Sequence, residues 1–366
     1  MNKITIIANN ANGREVFDGG RIKIRLFINL LKLEGCDVEV VELEGWKRNF
    51  LKIVKQIRQS VIQKRRIIIM AGPKGCRLII PIVFHINKRH KTNIVFCPLG
   101  IGTLDSITRK LSIQETTNFL SCENFYKKKD KKMGKMLASF NYVLVQNCTL
   151  QKCYSIFYQL SNVYVLENFR TFNIKNKIFS KGDILKTIFY SRVTARKGIL
   201  DLMFAVNHIN SLFTNPVISL DIYGENQLET KSDALIFDSQ LNSNVTYKGV
   251  ISSNESIQTI AQYDLFCLPT KYYGEGTPGS LVESFIAGTP VLVSSYSQSK
   301  DLIDDSIDGY IFELNNVDDL IKKLRYIYMN KDKLIIVSRN AQQRATKYTY
   351  AGNRHFFLKY IAGVEE

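Results

Sequence analysis

The chain has 366 residues, 45% hydrophobic and 23% charged, with a formal charge of +17. That composition is globular and long enough for two domains, and no uninterrupted apolar run reaches the ~18–20 residues of a membrane-spanning helix. Seven cysteines, at 36, 76, 97, 122, 148, 153 and 267, have neither disulfide-framework nor metal-ligand spacing, which points to reduced thiols in the cytoplasm.

The N-terminal MNKITIIANN reads as a first strand rather than a signal peptide. In the first half, candidate strands are Lys3–Ala8, Asp37–Leu43, Arg66–Ala71, Asn93–Pro98, Tyr142–Gln146 and Val163–Leu166. Amphipathic stretches such as Ile22–Leu33 and Phe50–Gln63 lie between them. The polar segment 168–183 has no clear periodicity and reads as a linker. The second half repeats the pattern, with strands at Thr187–Ser191, Val217–Tyr223, Val245–Tyr247, Asp264–Leu268, Val291–Ser294 and Tyr310–Phe312. Such alternation predicts an α/β fold of two Rossmann-like domains with parallel sheets. The expected borders are 1–175, 176–345 and a C-terminal helix over 346–366 that crosses back to the first domain. Ligands of open parallel sheets bind beyond the carboxyl ends of the strands, so the expected site is the cleft between two facing sheets.

The charge is unevenly placed. Residues 1–175 hold 30 Lys/Arg against 12 Asp/Glu, and residues 176–366 hold 20 against 21. From Gly45 to Leu104 there is no acidic residue. The first half therefore suits a polyanionic partner, the alternative being lysine-rich solvated faces. The run 47–66 has helical periodicity, with Phe50, Leu51, Ile53, Val54, Ile57, Val61 and Ile62 on one broad apolar face flanked by Lys/Arg. YKKKDKKMGK at 126–135 is the densest charge run. Anionic lipid headgroups would attract both segments; packing of the helix on its own sheet is the competing reading. The aromatics do not interleave these runs as a stacking platform for bases would, and no nucleic-acid motif is present, so nucleic acid is not the expected partner.

Chemistry concentrates in the second half. Arg192 follows the strand TIFYS, and Lys197 opens the next helix; both can neutralise a diphosphate, or serve as surface charges at a strand–helix junction. Gly224 ends a strand and permits either a tight turn or close approach of the backbone to a ligand. Gly249 and Val250 follow a short strand, where a loop covers a base or makes a plain turn. Glu275 and Glu283 stand eight positions apart around a turn of Gly276, Thr277, Pro278, Gly279 and Ser280. A helix starting near Gly279 offers unpaired N–H groups and partial positive charge, a seat for phosphate. Glu283, one to two turns in, can accept from a ribose, while Glu275 reaches what hangs from the phosphates. No Asp-x-Asp element stands where a metal would hold a diphosphate, and no Walker loop or Gly-x-Ser-x-Gly pattern occurs, so no metal and no cofactor are expected.

The order FYSRVTARKG (189–198), LDIYGEN (220–226), VTYKGVIS (245–252), the segment 264–295 with its Glu-x₇-Glu element, and DLIDDSIDGYIFE (301–313) resembles the retaining GT-B glycosyltransferases of glycosyltransferase family 4. The resemblance covers the second half and implies a metal-independent enzyme of bacterial surface-polysaccharide assembly. It implies that Arg192 and Lys197 hold the donor diphosphate, that Glu275 lies by the donor sugar, and that Glu283 takes the ribose hydroxyls. The family's commonest turn is Glu-Gly-Phe-Gly. Here Pro278 has no N–H, so Gly279, Ser280 and Leu281 must supply the amides. In the first half, Gly19-Gly20 matches the family's glycine-rich first loop. Where many members carry a histidine on the acceptor side, this chain has Gly100 and Gly102; its histidines are at 85, 90, 208 and 355. Asn168 resembles a strand-end asparagine near the crossover between domains.

The expected function is transfer of a sugar from a nucleotide-diphosphate donor, UDP first, to a hydroxyl of a lipid-linked glycan in capsule or O-antigen synthesis. It would take place at the inner face of the cell membrane. A sugar-nucleotide epimerase or phosphorylase of the same architecture, or a non-catalytic polyanion-binding protein, are the alternatives.

Overall fold

The computed structural model describes residues 2–11, 19–104, 130–171, 177, 179, 182–272, 275–296 and 298–364. The chain forms two compact units, one of Met1–Asn168 with Ala351–Glu366 and one of Phe169–Tyr350.

Unit 1 is built on a six-stranded parallel sheet of β1 (Lys3–Ala8), β2 (Asp37–Glu42), β3 (Arg66–Met70), β4 (Ile94–Phe96), β5 (Tyr142–Val145) and β6 (Val163–Val165), in the order β2-β1-β3-β4-β5-β6. Its described helices are α1 (Gly19–Leu33), α2 (Trp46–Ile62), α3 (Pro73–Asn87), α4 (Lys131–Ala138) and α5 (Cys148–Tyr158). The C-terminal residues complete this unit. Phe357 packs edge-on against Phe27 of α1, and Arg354 pairs with Glu34 at 2.8 Å.

Unit 2 holds β7 (Leu185–Tyr190), β8 (Ile218–Tyr223), β9 (Val245–Gly249), β10 (Leu265–Leu268), β11 (Val291–Ser294) and β12 (Tyr310–Phe312), again parallel, in the order β12-β11-β10-β7-β8-β9. Around them run α6 (Ile199–Ser211), α7 (Lys231–Gln240), α8 (Ser256–Ile260), α9 (Gly279–Ala287), α10 (Ser299–Leu302), α11 (Val317–Met329) and α12 (Leu334–Ala345), while α13 (Tyr350–Phe357) belongs to unit 1 from Ala351 onward. The central strands are covered on both faces and so are apolar throughout: Leu265, Phe266, Cys267 and Leu268 are all fully buried. The chain runs outward from β7 through β8 to β9, then returns to the other side of β7 as β10. The β7/β10 seam is therefore the topological switch point, where diverging loops leave a crevice at the carboxyl ends of the strands.

Helix α2 departs from its expected single apolar face. Ile53, Ile57 and Val61 are buried, but Phe50, Leu51 and Ile62 are exposed, as is Trp46. At 100° per residue Leu51 and Ile62 fall far from the stripe that contains Ile53 and Ile57. Asn49 leaves helical geometry at φ −108°, ψ 16°, which separates the first turn from the rest. Lys47, Arg48, Lys52, Lys55 and Arg58 are exposed on the same helix. No described helix is long and apolar enough to cross a membrane. Six cysteines, at 36, 76, 97, 148, 153 and 267, are free thiols, and Cys122 lies outside the described residues. Residues 126–129 of the basic run also lie outside them.

Candidate active site

Strand β10 delivers its chain to the switch point and turns into α9. The cap of α9 is Pro278, at φ −63°, ψ 134°, with no side-chain hydrogen bond and no acid in the first turn. The first helical bond goes from Val282 N–H to Pro278 O. Among the described residues nothing accepts from the N–H groups of Gly279, Ser280 and Leu281. These are the amides that the sequence assigns to a phosphate, and a helix end left open in this way attracts an anion. Gly276 and Thr277 lie in the turn just before, Thr277 buried at 4% exposure.

Glu275 is tied down on the β10 side of the turn. Its Oε2 pairs with Lys197 Nζ at 2.5 Å and accepts from Thr270 Oγ1 at 3.2 Å. Lys197 arrives from the β7 side, on the 3₁₀ turn Ala195–Lys197. The two loops are stitched together by the Lys271 N–H, which donates to Arg196 O at 2.9 Å. Gly198 closes that turn at φ 74°, and a Cβ there would lie 1.8 Å from the Pro269 carbonyl, so only glycine lets the loops approach this closely. Tyr296, after β11, has a buried hydroxyl with no hydrogen-bond partner among the described residues. Burial, and next the nearby Glu275 charge, hold that phenol well above its ordinary pKa.

Glu283 is buried at 4% exposure on α9. Its Oε1 accepts from Arg170 Nε at 2.9 Å, while its Oε2 is buried and has no hydrogen-bond partner among the described residues. Arg170 was not foreseen from the sequence. It stands 113 residues earlier, just after the chain enters unit 2, and only a basic residue in the polar stretch ENFRTF hinted at it. Its Nη2 lies so near Gly279 that a Cβ on that residue would be 2.2 Å away. Tyr190, at the end of β7, is close enough that burial and then the Glu283 charge raise its pKa.

The remaining candidates of this unit line the carboxyl ends of β7, β8 and β9. Arg192 is exposed, and among the described residues its side chain has no ion-pair partner. Gly224 is buried, and a Cβ on it would lie 1.8 Å from Ser191 O, so its tight approach is to its own neighbouring strand. Its N–H donates to Gly249 O at 2.8 Å, which joins the loops after β8 and β9. Val250 follows, 42% exposed.

In unit 1, Gly19 and Gly20 begin α1; the loop before them, 12–18, lies outside the described residues. Gly100 is exposed after β4. Gly102 is buried and opens a 3₁₀ turn whose Ile101 carbonyl accepts from Tyr154 Oη at 3.2 Å. All four histidines are exposed, on or just after helices, and none stands in this loop. Asn168 is buried at 6% exposure. Among the described residues no three His, Cys, Asp or Glu side chains are grouped to hold a metal ion.

Residues 171–347 match the family model described as glycosyl transferases group 1. The poly(ribitol-phosphate) alpha-N-acetylglucosaminyltransferase of Staphylococcus aureus (strain COL) is 27% identical over 174 residues, 47% of this chain and 34% of that protein. The UDP-Gal:alpha-D-GlcNAc-diphosphoundecaprenol alpha-1,3-galactosyltransferase of Escherichia coli is 32% identical over 82 residues, 22% of this chain and 20% of that one. The matches thus span 34% and 20% of the lengths of these two relatives. The crystal structure of Anabaena HepE in complex with UDP and glucose superposes over 100% of both chains, with a TM-score of 0.70 at 14% identity. Residues 171–347 are therefore similar to the glycosyl transferases group 1 family, and the chain has the two-sheet α/β fold of its GT-B structural neighbours.

Proposed function

We propose that this protein is a retaining glycosyltransferase that takes a sugar from a nucleoside-diphosphate donor, UDP first, and places it on a hydroxyl of a lipid-linked glycan. The carrying observation is the open N-terminus of α9, bracketed by Glu275 and Glu283 at the β7/β10 switch point. Amides unpaired at a helix start suit the diphosphate. The unpartnered Oε2 of buried Glu283 suits a sugar hydroxyl on the nucleoside side. Glu275, with Lys197 fixed against it, suits the donor sugar.

The chemistry asks little of the protein beyond charge. As the bond from anomeric carbon to phosphate oxygen lengthens, negative charge grows on the departing diphosphate. Lys197, Arg192 and the α9 amides can stabilise it, so the reading requires no divalent ion. Retention follows if the acceptor hydroxyl attacks the face that the diphosphate leaves and passes its proton to the departing phosphate oxygen. The acceptor assignment draws on the relatives. The Escherichia coli enzyme is named for a diphosphoundecaprenol substrate, the Staphylococcus aureus enzyme for poly(ribitol-phosphate), and HepE was crystallised with UDP and glucose. Synthesis of capsule or O-antigen is the matching role.

Lipid-linked acceptors lie at a membrane. Helix α2 presents Trp46, Phe50 and Leu51 among five exposed Lys/Arg, the composition of an interfacial helix facing anionic headgroups at the cytoplasmic leaflet. The test is a panel of sugar nucleotides, read first by thermal shift and then by transfer to a polyprenyl-diphosphate sugar. Stabilisation by one donor and transfer with its anomeric configuration kept are expected. Donor consumption without acceptor would point instead to an epimerase, and consumption only with inorganic phosphate to a phosphorylase.

A further inference from the structure

We propose that Arg170 is a positioning residue that makes Glu283 a one-sided acceptor, with Oε1 held and Oε2 presented to a hydroxyl of the donor's ribose. The inference rests on the nucleotide-sugar reading above and goes beyond it by assigning a residue to ribose recognition.

Arg170 leaves a backbone that is fixed on both sides. Its N–H donates to Tyr348 O at 2.8 Å, and its carbonyl accepts from Tyr350 N–H at 2.7 Å, a parallel bridge opposite Thr349. The side chain is fixed as well: Nη1 donates to Phe169 O at 3.1 Å and Nε to Glu283 Oε1 at 2.9 Å. The guanidinium lies where Gly279 has no side chain. Arg170 and Glu283 side chains are only 6% and 5% exposed. Glutamate has three rotatable bonds, and a planar charge-assisted partner removes that freedom before any ligand arrives. Burying a carboxylate oxygen without a partner is unfavourable, and a structural ion pair gives no reason for it. The unpartnered Oε2 is explained if a ligand hydroxyl completes it.

The same contact accounts for the charge pattern of the turn. A guanidinium beside the first residue of a helix opposes the helix dipole. Glu283 offsets it from within the same helix, and a ligand anion on the Gly279–Leu281 amides would offset both. Arg170 thus binds through Glu283, and its effect should be confined to the ribose end of the nucleotide.

The experiment measures affinities of the full chain for UDP, 2′-deoxy-UDP and 3′-deoxy-UDP by calorimetry, in wild type, Arg170→Lys, Glu283→Gln and the double variant Arg170→Met/Glu283→Gln. In wild type, loss of one ribose hydroxyl is expected to weaken binding about tenfold to a hundredfold, the range for a hydrogen bond to a charged acceptor. In Arg170→Lys that discrimination should shrink severalfold, with donor KM rising while kcat changes little. The double variant buries no uncompensated charge and keeps the test open if single variants fold poorly. Its affinity for UDP should equal that of Glu283→Gln alone. Full discrimination retained in Arg170→Lys would show a purely structural ion pair. A further loss in the double variant would show that Arg170 touches the ligand itself. Equal binding of UDP and both deoxy forms by wild type would overturn the inference while leaving the donor site in place; no binding of any of the three would remove both.

Discussion

Lys197 Nζ stands 2.5 Å from Glu275 Oε2 across 78 residues of sequence. The pair joins the loops after β7 and β10, the two strands that flank the switch point. It places a cation beside the turn whose amides are open. Transition-state charge on a leaving diphosphate would meet Lys197 first, with Arg192 beyond the end of the same strand.

Replacing Lys197 by Met or Arg192 by Ala is therefore expected to lower turnover about a hundredfold, the usual cost of one preorganised charge donor. Donor KM should move far less. Glu283→Ala should do the reverse, raising donor KM about tenfold or more with a smaller effect on kcat. Steady-state kinetics with the stabilising donor check all three, and wild-type values in each variant would detach these residues from the site.

Gly279→Ala tests the packing beneath the turn. The new Cβ would lie 2.2 Å from Arg170 Nη2, so Arg170 has to shift and the Glu283 contact with it. A loss of about 1–3 kcal/mol in folding stability is expected, together with at least about tenfold weaker UDP binding. Chemical denaturation and calorimetry on the same protein separate the two effects. Unchanged affinity in a folded variant would mean that the arginine has room to spare.

Acid stability of unit 1 should depend on Asp37. Arg65, buried at 3% exposure, donates from Nη1 to Asp37 Oδ2 at 2.7 Å. That hydrogen bond, and then the charge of Arg65, hold the Asp37 carboxyl below its ordinary pKa. The native state therefore takes up this proton later than the unfolded chain as pH falls. The stabilisation is complete above the ordinary carboxylate pKa of about 4 and disappears as pH drops through the lower native value. Asp37→Asn should be less stable than wild type at pH 7, and the two urea midpoints should converge below pH 4. Parallel midpoints across that range would contradict it.

The surface of α2 gives a prediction independent of the active site. Reversing Lys47, Lys52 and Lys55 to Glu should abolish sedimentation with phosphatidylglycerol vesicles, as should raised salt with the wild-type protein. Donor turnover in solution should be unaffected. Binding that persists in the variant would exclude α2 as the docking helix.

The strands were legible because buried parallel strands are short apolar runs. Val291–Ser294 and Tyr310–Phe312 match their expected limits, and β7 starts two residues earlier than Thr187. The start of α9 at Gly279 was legible too, since Pro278 fixes the backbone before it. Helix α2 departs from its sequence pattern, because seven apolar residues in one run do not all share one stripe. Arg170 was invisible for a different reason. Its partner is 113 residues away, and no periodicity or local spacing encodes a contact made by the return of a crossover segment to a helix start. The division of the chain at Asn168/Phe169 and Tyr350/Ala351 has the same origin, since it depends on which sheet each segment packs against.

The most direct measurement is a crystal structure of the chain with UDP. The diphosphate should lie on the N–H groups of Gly279, Ser280 and Leu281, with a ribose hydroxyl on Glu283 Oε2 and Lys197 turned toward the terminal phosphate. UDP bound elsewhere, or density at this turn with the ribose away from Glu283, would contradict the proposed donor site.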